Sequence, residues 1–174
     1  MFLTKIKMVE GTDDYHAHQV LWTLFENEQQ RPFCFSSVNN VVHMLSTVKP
    51  NFKTTEIKLL NNSTLIFKVI ACPPKRRFRT RTIKSQDYSA SHLKEWFSRV
   101  FEDIAKINYV EYTTLKPKSL QKKNGEKMRW SQYLFFGSLT ILDAERFENK
   151  IARGFGQGAG FGLSMMNLVD ITDI

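Results

Sequence analysis

Apolar and polar residues alternate from Phe2 to Met8, with Phe2, Thr4, Ile6 and Met8 on one face and Lys5 and Lys7 on the other, a strand pattern. Gly11-Thr12-Asp13-Asp14 then reads as a turn offering an N-cap. Ala17, Val20, Leu21, Leu24 and Phe25 follow at i, i+3, i+4, i+7 and i+8, predicting a helix over residues 14–26 that packs on a sheet. Polar residues 26–31 and Pro32 end it. Strands are predicted at 33–38 and 41–47, no helical period is visible over 49–55, and 56–60 with 64–70, hinged at Asn61-Asn62, predicts a hairpin. Cys72-Pro73-Pro74 marks a boundary.

Beyond it, residues 75–84 alternate in their later part, so that Arg79 and Arg81 share one face of a strand. Leu93, Trp96, Phe97, Val100, Phe101 and Ile104 keep helical spacing over 91–106, with Ser91 as the cap. Strands at 109–115 and 129–142 flank a turn at Asn124-Gly125. Asp143 caps a short helix carrying Ala144, Phe147 and Ile151, and a closing strand is predicted near 161–171. The order β-α-β-β-α-β is that of the ferredoxin-like unit. The fold class is therefore α+β, two tandem ferredoxin-like halves at 1–73 and 75–174, the first with its second helix reduced or absent.

Composition narrows the class. Among 174 residues, 42% are apolar and fourteen are phenylalanine, enough for a core and too many for a disordered chain. No apolar run approaches the ~18 residues of a spanning helix, and the N-terminus lacks a signal-peptide core, which predicts a soluble protein. Cys34 and Cys72 have neither metal-ligand spacing nor the density of a disulfide scaffold, so a reducing cytoplasm is expected. The formal charge of +8 implies a polyanionic partner, nucleic acid or an anionic membrane surface.

The positions of the cations favour nucleic acid. Lys75, Arg76, Arg77, Arg79, Arg81 and Lys84 form one patch. Lys116, Lys118, Lys122, Lys123, Lys127 and Arg129 form a second, shaped like a basic hairpin that lies along a duplex groove; Lys150 and Arg153 add a third. Six or more phosphate contacts make binding fall by about 10³-fold or more between 50 and 200 mM salt. The aromatic signature of an RNA-recognition strand is missing, so stacking of single-stranded bases on the sheet is not indicated.

Two stretches could carry chemistry. Five of the eight glycines, Gly154, Gly156, Gly158, Gly160 and Gly162, fall within nine residues beside Arg153. Such a run fits either a Gly-rich surface loop or a loop of free N–H groups that takes a phosphate. It is neither a Walker loop, since no Gly-Lys-Ser/Thr follows, nor a dinucleotide fingerprint, since a helix precedes it. In Tyr15-His16-Ala17-His18 the helical angle puts His18 at the edge of the apolar stripe, Tyr15 ~60° from it, and His16 roughly opposite. A half-shielded histidine at a helix start, where the dipole disfavours imidazolium, either packs or exchanges a proton near neutral pH. The four histidines and the scattered acids make no metal-binding pattern, and no cofactor is implied.

With these residues in place, the chain resembles CRISPR repeat-processing endoribonucleases, most closely the CasE branch of type I-E surveillance complexes. Tyr15-His16-Ala17-His18-Gln19-Val20-Leu21 resembles the family's Tyr-x-x-His-x-x-Leu helix start. Val69-Ile70-Ala71-Cys72-Pro73-Pro74-Lys75 resembles its apolar-Arg-Ala-Asn-Pro-x-Lys junction, and Phe135-Phe136-Gly137-Ser138-Leu139 its Phe-Glu-Gly-x-Leu strand. Residues 154–164 match its Gly-x-Gly-x-Gly-Lys-x-Phe-Gly-x-Gly loop without a gap, except that the lysine is Ala159 and the last glycine Ser164. The resemblance implies two ferredoxin-like halves gripping a repeat stem-loop. It also implies metal-independent cutting at the 3′ base of the stem, by 2′-OH attack that leaves a 2′,3′-cyclic phosphate and a 5′-OH. His18 is then the catalytic histidine, with Tyr15 assisting. The basic patches and the glycine loop bind RNA, and the partners are the crRNA and other subunits of an effector complex. The chain is shorter than typical members over 49–55, which points to a divergent system, type IV or transposon-associated.

Overall fold

The structure, a computed structural model, describes residues 1–74, 76–78, 81–83, 89–121 and 125–170, with backbone alone at 76–78, 81–83, 169 and 170. Its first sheet holds β1 (Phe2–Lys7), β2 (Phe33–Val38), β3 (Val41–Ser46) and the two-residue β4 (Thr55–Glu56), ordered β2-β3-β1-β4. β2 and β3 are joined by Asn39 and Asn40, both at positive φ (49° and 62°), the primed hairpin turn that asparagine tolerates. The helix α1 (Asp14–Trp22) lays Ala17 and Leu21 on Phe33, Phe35, Val42 and Met44. It is shorter than its apolar stripe. From Thr23 to Phe25 the amides bond three residues back instead of four, so the end tightens while Phe25 stays in the core. Between β3 and β4 there is no helix, as the missing period over 49–55 predicts.

The second sheet has the order β10-β5-β9-β8, where β5 is Thr64–Ala71, β8 Ala105–Gln121, β9 Lys127–Ile141 and β10 Met166–Asp170. With α2 (Ala90–Val100) and α3 (Ala144–Arg153) this is a complete ferredoxin-like unit, β5-α2-β8-β9-α3-β10. Two tandem α+β halves are thus observed, the first with one helix. Residues 64–71 join the second sheet. The division in sheet membership therefore falls within 57–63, ahead of the expected boundary at 73–75, and the expected 56–60/64–70 hairpin does not form. β5 alternates Leu65, Phe67, Val69 and Ala71 inward with Ile66, Lys68 and Ile70 outward, and that buried face needs helices α2 and α3, which no hairpin with the short β4 supplies. Within 75–84, β6 (Arg76–Phe78) and β7 (Arg81–Ile83) pair with each other, Phe78 opposite Arg81, while Arg79, expected to share a strand face with Arg81, lies outside the described residues. Ser89, not Ser91, caps α2, its side chain accepting from the His92 amide.

A single aromatic core, with Phe67, Phe97, Phe101, Phe135, Phe147 and Phe155, joins the second sheet to its helices. The same cluster takes in Cys34 and Leu45 from the far face of the first sheet, against Ile151 and Ala152 of α3. Helix α3 is thereby wedged between the two sheets, and the glycine run that follows it emerges at their junction.

Candidate active site

The site begins at the cap of α1. The Asp13 carboxylate accepts from the His16 amide (2.8 Å) and lies 3.1 Å from His16 Nδ1, so His16 belongs to the exposed cap. The cap's backbone bond holds the Asp13 carboxyl below its usual pKa. Two residues on, His18 points the other way, toward Phe33 (5.8 Å between ring centroids) and Phe161 of the glycine loop (5.4 Å). Phe161 in turn stacks on Trp130 of β9 (5.4 Å). The Trp22 indole donates to His18 Nε2 (3.0 Å), which fixes the proton of a neutral ring on Nδ1. Nδ1 itself is buried without a hydrogen-bond partner. Burial lowers the pKa of His18, the positive charge of Arg31 lowers it further, and the Gly160 backbone, short of a hydrogen bond with Nδ1, partly offsets both.

The loop facing His18 leaves α3 at Gly154 and is tied down at several points. The Gln157 amide donates to the Cys72 carbonyl (2.7 Å), and the Ser164 amide to the Ile70 carbonyl (2.7 Å). Gly156, at φ 75°, passes so close to Cys72 that a Cβ would sit 2.5 Å from its carbonyl oxygen. At Gly160 a Cβ would sit 2.3 Å from Arg31 Nη1 and 3.4 Å from His18 Cε1. The glycine there makes room for side chains, not for a turn. Ser164 holds a left-handed φ of 71°, and its buried hydroxyl donates to the Phe155 carbonyl. Ala159 is buried, its Cβ close to Gly154.

Between helix and loop lies an open cavity of about 670 Å³, lined by His18, Trp22, Arg31, Arg153 and loop residues 154, 156 and 158–161. Of the residues the sequence put forward, His18, Arg153, Gly154, Gly156, Gly158 and Gly160 meet here. Gly162 lies just beside it, against Asp14 and Lys118. Tyr15 does not line the cavity; its ring stands edge-on to His16 at 6.3 Å. Lys118 forms an ion pair with Asp14 and donates to the Phe161 carbonyl (2.9 Å), so it fastens the β8–β9 hairpin to α1 and the loop. Lys127 and Arg129 are exposed toward the far end of that hairpin. Arg76, Arg77 and Arg81 lie in β6 and β7, while Lys75, Arg79, Lys84, Lys122 and Lys123 fall outside the described residues.

Arg31 is the residue that sequence reasoning missed. It sits in the polar stretch 26–31 that ends α1, and nothing in its spacing relates it to His18 or to the glycines. Its Nη2 donates to the Arg153 carbonyl (3.0 Å), Nη1 abuts Gly160, and Nε is buried without a partner. Burial pulls its pKa down from the ordinary arginine value. Nearby, the Cys34 thiol is fully buried, donates to the Ile151 carbonyl (3.0 Å) and is pushed up to about 12, which makes it unreactive. Among the described residues no cluster of three or more His, Cys, Asp or Glu is arranged to hold a metal ion, and no helix is long and apolar enough to cross a membrane.

Residues 3–169 match the family model described as CRISPR associated protein. No curated protein matches the sequence. Among solved structures, the CRISPR-associated protein Cas6e from Escherichia coli K-12 is 22% identical, with a TM-score of 0.71 over 98% of this chain and 100% of that one. Thermus thermophilus Cse3, bound to an RNA representing a pre-cleavage complex, is 19% identical, with a TM-score of 0.72 over 97% and 98%. A chain of a CRISPR RNA-guided surveillance complex is 17% identical, with a TM-score of 0.74 over 98% and 100%.

Proposed function

Because the chain belongs to the CRISPR-associated protein family, we propose that it matures CRISPR transcripts, binding the repeat stem-loop and cutting at its 3′ base. The observation that carries this reading is the meeting of His18 with a glycine loop and two arginines in one open cavity. The fold it shares with Cse3, which is described as an endoribonuclease and was solved with RNA, supports it. A neutral His18 accepts the proton of the ribose 2′-OH, and the O2′–P bond forms as the P–O5′ bond breaks. The leaving oxygen takes up a proton, leaving a 2′,3′-cyclic phosphate and a 5′-OH. The depressed pKa keeps the imidazole in the accepting form at neutral pH, and general base catalysis of this kind supplies about 10²–10⁴-fold. Nε2 reaches the ribose by exchanging its bond from Trp22 for one from the 2′-OH. Tyr15 assists from the preceding turn, and the exposed cations of the β8–β9 hairpin, together with the arginines of β6 and β7, hold the stem by shape and phosphate. The product then stays bound as the crRNA of an effector complex, type I-E or a divergent type IV or transposon-associated one.

A second reading keeps the stem-loop affinity without the cut. It is favoured by Ala159, where the resembling family carries a lysine, and by the indole already seated on His18 Nε2. Labelled hairpin repeat RNA separates the two. A cyclic-phosphate product formed in EDTA by the wild type, and lost in His18→Ala while binding persists, supports cleavage. Cutting that needs a divalent metal refutes the mechanism, cutting by His18→Ala refutes the assignment, and tight binding without product by the wild type supports the second reading.

A further inference from the structure

Arg31 does more than brace the loop. A guanidinium carries five N–H donors in a planar fork. Here one goes to the Arg153 carbonyl, and Nε has no acceptor at all although it is out of reach of water. A buried cation so thinly paired is costly unless an anion in the cavity it lines offsets its charge. Gly160 lets the guanidinium lie directly against the loop backbone, since a Cβ there would strike Nη1, and the open cavity lies beside it. Both Arg31 and His18 Cε1 crowd the same point beside Gly160, and both line the cavity.

We infer that Arg31 is the phosphate-binding residue of this cavity, its fork taking a phosphate group that sits against the glycine loop within reach of His18. The inference deepens the reading above by naming which cation grips the reacting group. Three features support it. First, the fork matches two phosphate oxygens at once, which a lysine does not. Second, Arg31 is anchored through a backbone carbonyl, so its position does not depend on the exposed Arg153 side chain. Third, its charge already reaches His18, whose protonation it opposes. The ligand class is a phosphate ester, either the internal phosphodiester of an RNA or a terminal or cyclic phosphate.

The test uses the intact protein and does not depend on cleavage. Of the four histidines, the His18 Cε1–H signal is identified by its loss in His18→Gln. It is then followed by NMR during titration with inorganic phosphate and, separately, with a 2′,3′-cyclic mononucleotide. Both ligands should shift the signal in the wild type. Arg31→Met should weaken phosphate binding by about tenfold or more, as expected for a charge-assisted pair, and Arg31→Lys should fall between. A response to the cyclic nucleotide alone assigns the site to RNA ends, whereas a response to both assigns it to phosphate in general; either supports the inference. No shift in the wild type, or an undiminished shift in Arg31→Met, overturns it. Should Arg31→Met fail to fold, the Arg31→Lys titration decides alone, an unchanged affinity counting against the fork. If the wild type responds to phosphate but cuts no hairpin, the cleavage reading falls and Arg31 stands. If it cuts without responding, Arg31 falls and cleavage stands.

Discussion

Alanine at Gly156 and alanine at Gly160 have sharply different consequences, because the two glycines are needed for different reasons. Gly156 has a φ of 75°, and an added Cβ would meet the Cys72 carbonyl oxygen at 2.5 Å, the same oxygen that accepts from Gln157 at 2.7 Å. A left-handed alanine costs about 1–2 kcal/mol. Displacing the carbonyl weakens a buried hydrogen bond worth about 0.5–1.5 kcal/mol and leaves its groups badly paired. Gly156→Ala should therefore destabilise by about 2–4 kcal/mol, a fall in Tm of roughly 5–15 °C for a chain of this size. At Gly160 the φ lies outside the left-handed range and the nearest atom is the far end of the Arg31 side chain. That side chain swings away and gives up its exposed bond to the Arg153 carbonyl, a cost of about 1 kcal/mol or less. Gly160→Ala should thus stay close to wild-type stability while moving Arg31 and shifting the His18 Cε1–H resonance. Urea denaturation followed by tryptophan fluorescence and one-dimensional NMR measure both effects. Equal destabilisation by the two substitutions, or an unmoved His18 signal in Gly160→Ala, refutes the distinction drawn here.

Other consequences are open to measurement. Trp22→Phe removes the donor that occupies His18 Nε2 only when that nitrogen is unprotonated, so the His18 pKa should rise; an NMR titration showing no change or a fall counts against the tautomer assigned here. Since the folded-state pKa of His18 lies below its ordinary value, the unfolded chain binds the proton first as pH falls. The stabilising contribution is complete above about pH 6.5 and is lost below it, so the urea midpoint should drop from pH 7 to pH 5, and by less in His18→Gln. Lys118→Met breaks the tie among Asp14, Phe161 and β8, and should cost about 1–3 kcal/mol of stability. Arg129→Ala should leave stability alone and lower the salt slope of hairpin-RNA binding by about one; the reverse pattern would mean the two cations have been assigned the wrong way round.

Much of this architecture was visible in the sequence, and the failures have physical causes. Asp13, Asp143 and the stripes of α1 and α3 were readable because caps and 3.6-residue periods are local. His18 could be separated from His16 because one helical wheel fixes both. Sheet membership was not local. Residues 64–71 alternate as well in a hairpin with 56–60 as in a sheet with β9 and β10, and only the aromatic helices packed on Phe67 and Val69 decide between them. The length of β8 was hidden by the lysines and Pro117 in its outer half, which weaken the strand signal where the hairpin leaves the core. Arg31 was illegible for a related reason. A polar residue after a helix looks like solvent-facing punctuation until the fold brings residue 153 against it.

The ties that shape the cavity span long stretches of chain. Arg31 bonds to a partner 122 residues away, Cys34 to one 117 away, and Lys118 to one 43 away. Contacts of such separation cost loop-closure entropy that local contacts do not, and they form after the elements they join. Within the aromatic core of the second half, Phe97 stacks on Phe67 and Phe135, 30 and 38 residues away, and these contacts close shorter stretches of chain. In refolding, therefore, tryptophan burial around Trp96 should recover ahead of the environment of His18. On gentle unfolding the order reverses, and the pocket between helix and loop opens while the sheets on either side of it still stand.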